Sequence, residues 1–471
     1  LNLIVLLSIL TQCFSAPSTT TTDTTPTTIN PISIILDDFT LSTCDGTIDN
    51  IPASVPGYIN TDLMSAGIIS SNPYYRYNEL ELSWVTKQCW IYSSILPDDL
   101  VQQAISQSSS DSDCFLILSL ENVDVTATIH MNNILITKKM LQNSFRPHSL
   151  LIPTAHLVDS KNILTITMHS TLNVALEQAR KYPYDVPATE NYNVWAEPSH
   201  RNFVRKTGSD MGWDWGPAYV ATGLFGDITL GLYKPEGTMS SLSAHFSSLN
   251  INDKSVEIEI RVHIKDMYAL EEWDVESVFD IELNGVLMDT VHLSTNARDA
   301  ESYKINTNTN TNTNTNTNIV ENTYVLSTIR VVGDDFHLWW PRGYGEAYLY
   351  SLDVTRRVSY LVNGNRIGSG SGNGKDTQTD TQTQVLHKRI GIRSVELIQE
   401  PIPASNPNPN PTNTGSSNVD VDVEVDARVS ALYTVEPTSF YFRINNVDVF
   451  AFGANFIPID SFQSRVTDAD R

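Results

Sequence analysis

Basic residues are scarce in this sequence. Its 471 residues include 30 Lys and Arg against 54 Asp and Glu, which gives a net charge of −24 at pH 7. A nucleic-acid-binding protein neutralises phosphates with clustered Lys and Arg, so this balance argues against a nucleic-acid partner. Charged residues make up 18% of the chain and hydrophobic residues 41%, which is typical of globular domains. At roughly 100–200 residues per domain, the length predicts two to four of them.

Cysteine is also rare. The chain has Cys13, Cys44, Cys89 and Cys114, without a Cys-x-x-Cys pair or a His/Cys cluster at zinc spacing. This usage excludes a small disulfide-stapled protein and gives no sign of a zinc site. If Cys13 leaves with a signal peptide, the other three allow one internal disulfide at most, and their pairing stays open.

Long hydrophobic runs are missing. The apolar stretch Leu1–Leu10 is too short to span a bilayer, which takes about 20 apolar residues. Small residues follow it, so residues 1–16 are predicted to be a signal peptide that directs the protein to the lysosome or out of the cell. No later segment is long and apolar enough for a membrane span.

Long helical periodicity is nearly absent as well, and apolar residues recur at every second position instead. In Val256–Ile264 the alternate apolar positions fall on one strand face, and Asn284-Gly285 is placed for a hairpin turn. Leu172–Arg180 is the best short helix. Many short strands with turn signals predict β-sandwiches or barrels. Tracts of Asn-Thr, of Gln, Thr and Asp, and of Asn-Pro interrupt this pattern and are predicted to be surface loops. We divide the chain into a signal peptide (1–16), a Thr-rich leader (17–30), a first β-unit (31–233), a second (234–439) and a new element (440–471).

The most unusual motif is Gly212-Trp213-Asp214-Trp215-Gly216-Pro217. Aromatic rings stack on the apolar faces of sugars, and a carboxylate accepts hydrogen bonds from sugar hydroxyls. The motif therefore favours sugar recognition. The alternative is that both Trp are core residues and that Asp214 caps a turn.

Two further aromatic groups are interpreted as structural. In the first, Trp84, Trp90 and Tyr92 share even spacing, so one strand face could carry all three. We expect core packing for the whole of this group, which also contains Tyr74, Tyr75 and Tyr77. The second group lies at 337–345 and is predicted to end a strand.

With Arg205-Lys206 before it, the Trp-Asp-Trp motif resembles the signature of the β-mannosidases, in the β-galactosidase/β-glucuronidase superfamily of glycoside hydrolases. Further motifs follow in the order that the superfamily uses: Asn72-Pro73-Tyr74-Tyr75, residues 222–228, residues 338–345, residues 388–393 and residues 442–460. The resemblance covers the chain from about Ile32 onward, apart from the low-complexity tracts.

This resemblance implies a mainly β fold. The expected order is an N-terminal jelly-roll sugar-binding-type β-sandwich, an immunoglobulin-like β-sandwich, and the first strand region of a truncated (β/α)8 barrel. It implies no cofactor and no metal, and an oligosaccharide with terminal β-mannose as substrate. The expected substrate-binding residues are Asp214, which accepts a hydroxyl of the −1 sugar, with Trp213 and Trp215 beside it. Asn455 and Asp460, at the C-terminal end of the first barrel strand, are weaker candidates.

The resemblance also implies where the catalytic groups lie. Retaining glycosidases use two carboxylic acids, and the family carries its acid/base Glu and its nucleophile Glu later in the barrel. A (β/α)8 barrel takes roughly 250 residues, whereas this sequence continues only from Phe440 to Arg471. No Glu of this sequence matches either family motif, so none is assigned. Both catalytic Glu residues are expected beyond Arg471.

Two alternatives stay open. One is a related exo-glycosidase of the β-galactosidase or β-glucuronidase type, against which the Trp-Asp-Trp motif weighs. The other is a non-catalytic carbohydrate-binding protein made of two β-sandwiches, which would need no motif such as Gly453-Ala454-Asn455. We also expect the two sandwiches to fold without residues 440–471, on the premise that a lone barrel strand has no partner.

We expect residues 1–471, assayed by themselves, to be inactive, because both catalytic carboxylic acids are expected elsewhere. A chain of residues 31–471 incubated with a chromogenic β-mannoside should release no more chromophore than a matched blank. Clear turnover would show that both carboxylates lie within this sequence.

Overall fold

A computed structural model describes residues 33–108, 115–186, 200–233, 238–267, 274–294, 304–305, 319–362, 365–366, 382–401, 438–467 and 469–470. The predicted signal peptide, the Thr-rich leader, Cys114 and Arg471 lie outside these ranges. Among the described helices, none has the length and apolar character needed to cross a membrane.

The first β-unit is a sandwich of two main antiparallel sheets. One has the strand order β1-β12-β6-β9 and the other β3-β2-β5-β10-β7-β8, while β11 pairs with β4. The strands are β1 (Ser33–Ile35), β2 (Phe39–Thr43), β3 (Ile51–Ala53), β4 (Gly57–Tyr58), β5 (Trp90–Ile95), β6 (Phe115–Leu120), β7 (Ala127–Met131), β8 (Ile134–Leu135), β9 (His148–Ile152), β10 (Ile163–Met168), β11 (Gly223–Leu224) and β12 (Ile228–Tyr233).

Short helices and one disulfide complete this unit. The α-helices are α1 (Ile59–Ser65), α2 (Asn78–Glu81), α3 (Trp84–Lys87), α4 (Asp98–Ser108) and α5 (Thr171–Lys181). Helix α5 confirms the helix predicted over Leu172–Arg180. Its N-terminus is capped by Ser170, whose hydroxyl accepts a hydrogen bond from the backbone N–H of Asn173. Cys44 and Cys89 form the disulfide, so one of the possible pairings is realised.

The second β-unit packs two antiparallel sheets around a separate core. One sheet has the order β13-β14-β18-β17; in the other, β19 lies between β15 and β21, and β16 flanks β15. Its strands are β13 (Thr238–Phe246), β14 (Ser255–Met267), β15 (Asp274–Leu283), β16 (Val286–Ser294), β17 (Lys304–Ile305), β18 (Ile319–Val332), β19 (Tyr350–Val362), β20 (Asn365–Arg366) and β21 (Gln382–Ile390).

The period-two pattern of this unit is confirmed in detail. The five alternate apolar residues from Val256 to Ile264 are all buried in the core of the second unit. Asn284 and Gly285 form the turn between β15 and β16, with φ of 51° and 75°, as a two-residue hairpin of this type requires. The mainly β fold class is therefore confirmed.

A small third sheet joins the second unit to the residues that follow it. Its strands are β22 (Val395–Ile398), β23 (Tyr441–Ile444) and β24 (Val447–Val449), in that order. Strand β23 pairs with β22 along its whole length, so this sheet joins residues on both sides of position 440. Residues 450–460 form neither helix nor strand, so the first barrel strand stays a prediction.

The C-terminal segment then reaches the first sandwich. Phe462 has 0% of its surface exposed and belongs to the core of that sandwich. Its ring centre lies 5.1 Å from that of Tyr219 and 6.4 Å from that of Tyr58. Phe462, which is far from helix α1 in sequence, therefore completes the core beside that helix.

The first aromatic group divides into two environments, which the even spacing did not predict. Trp90 and Tyr92 lie buried on β5, whereas Trp84 lies on α3, with its ring centre 6.0 Å from that of Trp90. The expectation that one strand face carries all three is therefore wrong. Core packing was also wrong for the tyrosines that precede them, since Tyr74, Tyr75 and Tyr77 are exposed.

We expect Phe462→Ala to destabilise the protein although the residue lies close to the end of the sequence. Truncating a fully buried Phe leaves a cavity and costs about 3–5 kcal/mol. Phe456→Ala is the matched control, because Phe456 is 81% exposed and its truncation should be nearly neutral. Urea unfolding of both variants measures the difference; an equal effect of the two substitutions would contradict the packing of Phe462.

Candidate functional site

The Trp-Asp-Trp motif forms a tight turn. The N–H of Trp213 donates to the carbonyl oxygen of Gly216 at 3.0 Å, and the N–H of Gly216 donates back to Trp213 at 3.3 Å, so Asp214 and Trp215 occupy the central positions. Gly212 leads into the turn with φ of 97°, a conformation that favours glycine. Trp213 is 39% and Trp215 41% exposed. The turn therefore presents a carboxylate between two partly exposed indoles.

Asp214 itself is exposed. If it capped the turn, its carboxylate would accept a backbone N–H close by in sequence. Within the described part of the chain, no hydrogen bond or ion pair joins this carboxylate to another group. The alternative interpretation of Asp214 as a turn cap therefore has no contact to support it.

A buried ion cluster holds the segment that leads to the turn. The Lys206 ammonium, with 1% of its side chain exposed, contacts the Asp124 carboxylate and lies 2.6 Å from the Asp210 carboxylate. Asp124 is paired through its backbone with Gly223, by reciprocal hydrogen bonds of 2.9 Å. Asp210 accepts a 2.8 Å bond from the N–H of Val220 through its backbone carbonyl oxygen. Lys206 thus connects Asp210, which precedes the turn, to Asp124, whose backbone is paired with Gly223 after the turn.

The protonation of this cluster follows from its charges. Burial raises the pKa of Asp124 to about 6, although the Lys206 ammonium opposes the increase. Burial by itself would lower the pKa of Lys206, but attraction to Asp124 and Asp210 outweighs it, so the pKa is raised. Lys206 is therefore charged at neutral pH and bridges two carboxylates in the interior.

The residues after the turn are tied to the segment around residue 75. The N–H of Ala218 donates to the Glu79 carboxylate at 2.7 Å. The hydroxyl of Tyr219 donates to the carbonyl oxygen of Pro73, and the ring of Tyr219 meets that of Tyr74 edge-on at 6.1 Å. Burial raises the pKa of Tyr219, which keeps this hydroxyl a donor.

The same tyrosines receive the C-terminal segment. The hydroxyl of Tyr74 donates to the Asp460 carboxylate at 2.8 Å and accepts the N–H of Ser461 at 2.8 Å. Asp460 also accepts the N–H of Phe462 at 2.8 Å and lies 3.4 Å from Arg465. The predicted substrate residue Asp460 is therefore engaged in contacts that attach the C-terminal segment to the first sandwich.

The five predicted site residues thus lie in different environments. Trp213, Asp214 and Trp215 come together on one turn. Asp460 is bonded to its own segment and to Tyr74, and Asn455 lies exposed; their role with substrate stays a prediction. The described residues contain no group of three or more His, Cys, Asp or Glu side chains that could hold a metal ion.

The structure leaves the position of the catalytic carboxylic acids untested. Arg471 itself lies outside the described residues, and the position of the acid/base and nucleophile Glu beyond Arg471 stays a prediction. The candidate site of this chain is therefore the Trp-Asp-Trp turn, with no catalytic residue assigned to it.

Sequence reasoning missed the residues that support the turn. Lys206 belongs to the Arg205-Lys206 pair before the motif, but nothing in the sequence indicates its burial, and Asp124, 82 positions away, carries no signal at all. Tyr74 was assigned to the core although it mediates a contact between distant segments. Arg201, which contacts the loop before the turn, carried no motif that would have identified it.

The chain is similar to glycoside hydrolases over most of its length. Residues 39–226 match the family described as glycosyl hydrolase 2 galactose-binding domain-like. A probable β-mannosidase of Caenorhabditis elegans is 24% identical over 426 residues, which cover 88% of this chain and 37% of that protein. The β-mannosidase of Bos taurus is 25% identical over 423 residues, with 89% and 38% covered. The chain therefore spans less than two fifths of the length of these curated relatives.

Solved structures have the same fold. A β-D-mannosidase from Dictyoglomus thermophilum superposes with a TM-score of 0.62 at 24% identity, over 93% of this chain and 42% of that one. An exo-chitosanase from Amycolatopsis orientalis gives 0.51 at 13% identity, over 93% and 38%. The resemblance to the N-terminal portion of the β-mannosidases is thus confirmed.

We expect Lys206→Met to be strongly destabilising. Removing one partner of a buried ion pair leaves uncompensated charge and costs about 3–5 kcal/mol. The loss should be smaller at pH 5 than at pH 8. Without the ammonium, the folded state holds a proton on a buried carboxylate that the unfolded state has released, so stability falls as pH rises through that range. Lys181→Met is the control, because its pair with Glu177 is exposed and an exposed ion pair contributes little to stability. Equal losses in denaturant unfolding would contradict the role given to Lys206.

Proposed function

We propose that the protein is a β-mannosidase that removes terminal β-D-mannose from the non-reducing ends of oligosaccharides and glycoproteins. The observation that carries the proposal is the turn at Trp213-Asp214-Trp215. It presents a carboxylate without a structural partner among the described contacts, flanked by indoles that are about 40% exposed. The similarity of 88% of the chain to a probable β-mannosidase of Caenorhabditis elegans supports the same activity.

Asp214 contributes by binding rather than by chemistry in this proposal. Its carboxylate accepts a hydrogen bond from a hydroxyl of the −1 mannose, and a charge-assisted bond of this kind is short and directional. Trp213 and Trp215 shape the wall of the pocket and offer apolar faces to the C–H groups of the sugar. Together the three side chains orient the ring before the bond is cleaved.

The reaction itself is proposed to follow the retaining mechanism with two carboxylic acids. One Glu attacks the anomeric carbon and forms a glycosyl–enzyme intermediate. The second Glu protonates the leaving oxygen and then takes a proton from the water that hydrolyses the intermediate. Neither Glu is assigned to a residue of this sequence, since both are expected beyond Arg471.

The proposed location is the lysosome or the extracellular space. The short apolar run within residues 1–16 is the sequence basis for this proposal. The disulfide between Cys44 and Cys89 supports it, because such bonds persist in oxidising compartments and are rare in the cytosol.

Asp214→Asn tests the binding role in the full-length gene product. The hydrogen bond that is weakened contributes about 1.5–3 kcal/mol, so kcat/KM on a chromogenic β-mannoside should fall about ten- to a hundred-fold. The melting temperature should hardly change, because Asn has the same shape and Asp214 supports no other residue among the described contacts.

Asp159→Asn, at another exposed position of the first sandwich, is the control and should leave both quantities unchanged. A lowered melting temperature with normal kcat/KM in Asp214→Asn would show that Asp214 is structural. Parallel assays with chromogenic β-galactoside and β-glucuronide test the substrate: faster turnover of either than of the β-mannoside would replace the proposal by the related exo-glycosidase.

A further inference from the structure

Arg201 lies on a firmly supported base close to the Trp-Asp-Trp turn. It begins a short 3-10 helix, Arg201–Phe203, and the ring of Phe203 packs edge-on against that of Tyr182, 5.5 Å away, just after helix α5. Next to it lies a small apolar cluster in which Val204 is buried with residues of α5 and of the loop: Leu172, Ala175, Met211 and Val220. The backbone that carries the Arg201 side chain is therefore held in place by packing.

The guanidinium of Arg201 contacts the loop at three places. Its Nη1 donates to the carbonyl oxygen of Gly208 at 3.0 Å and to that of Gly212 at 3.3 Å. Its Cζ lies 5.3 Å from the centre of the Trp213 ring, within the range of a cation–π interaction. One side chain thus binds the first residue of the 3-10 helix Gly208–Met211, the residue that follows this helix, and Trp213, the first residue of the turn.

The loop around the turn is rich in glycine. Glycines at 208, 212 and 216 leave the backbone with more freedom than other residues would. Two backbone hydrogen bonds close the turn between Trp213 and Gly216, but they lie within the turn and do not fix its direction. The contacts of Arg201 connect the turn to the helical base beneath it.

We propose that Arg201 is a positioning residue, which holds the turn so that Asp214 points toward the sugar hydroxyl. The proposal rests on the function proposed for Asp214. A misplacement of about 1 Å at a binding group can cost about a hundred-fold in rate, so a residue that never touches the substrate can still control kcat/KM.

Lysine cannot replace arginine in this arrangement. The guanidinium is planar and has five donors in a fixed geometry, so it stacks on an indole while it binds carbonyl oxygens beside it. The ammonium of Lys is a flexible point charge and cannot keep these three contacts in one geometry. Arg201→Lys therefore preserves the charge near Asp214 and removes the positioning.

The test measures kcat/KM on a chromogenic β-mannoside for four forms of the full-length gene product: wild type, Arg201→Lys, Asp214→Asn and the double variant. We expect Arg201→Lys to lower kcat/KM about ten-fold with little change in melting temperature. The double variant should be hardly worse than Asp214→Asn, because residues that act through one another are not additive. Arg393→Lys is the matched control, since that Arg also lies over an indole, 4.3 Å from the Trp339 ring, and its kcat/KM should stay normal.

Each outcome separates the two proposals. Unchanged kcat/KM in Arg201→Lys, an additive loss in the double variant, or an equal loss in Arg393→Lys would overturn the role of Arg201 and leave that of Asp214 standing. No effect of Asp214→Asn would overturn the proposed function first. If Arg201→Lys does not fold, Arg201→Gln, which keeps one amide donor without the charge, supplies the same comparison.

Discussion

The buried ammonium of Lys206 is the interaction on which the candidate site depends. It lies between the carboxylates of Asp124 and Asp210, so the interior holds two negative charges and one positive charge. Such a cluster is stable only while its geometry is kept, since every displacement exposes an unpaired charge to an apolar surrounding. Asp124 belongs to the sandwich through its pairing with Gly223, and Asp210 belongs to the loop before the turn. The ion cluster therefore attaches the glycine-rich loop to the sheets, in addition to the apolar cluster that buries Met211 and Val220.

Around this cluster, the first sandwich gathers segments that are distant in sequence. Tyr219 follows the turn, Tyr74 belongs to the segment before α2, and Phe462 comes from the C-terminal segment; the ring of Tyr219 contacts those of the other two. The third sheet connects the second unit to the same C-terminal segment through the pairing of β22 with β23. Through these contacts, Phe462 of the C-terminal segment packs against Tyr219, which follows the turn. This arrangement supports the proposal that the first sandwich contributes binding residues to a glycosidase site.

The sequence predicted well those features that depend on local periodicity. Alternation from Val256 to Ile264 identified a strand and its buried face, because the side chains of a strand alternate between two faces whatever surrounds it. Asn284-Gly285 identified a hairpin, because few residues adopt two successive positive φ angles. The same reasoning failed for Trp84, which shares even spacing with Trp90 and Tyr92 but lies on a helix. Spacing is informative only where one secondary structure continues, and Gln88 and Cys89 interrupt it here.

For the candidate site, the sequence by itself determined which side chains lie together on the turn, since Trp213, Asp214 and Trp215 are consecutive. Only the tertiary structure decided what holds that turn and what surrounds it. The partners of Lys206, the pairing of Cys44 with Cys89, the burial of Phe462 and the bond between Tyr74 and Asp460 all join residues that are distant along the chain. A contact of this kind depends on how the sheets, loops and C-terminal segment pack, and a single sequence carries no periodic signal for it. The residues proposed to recognise a sugar are thus visible in a short motif, whereas those proposed to position them become visible only once the chain is folded.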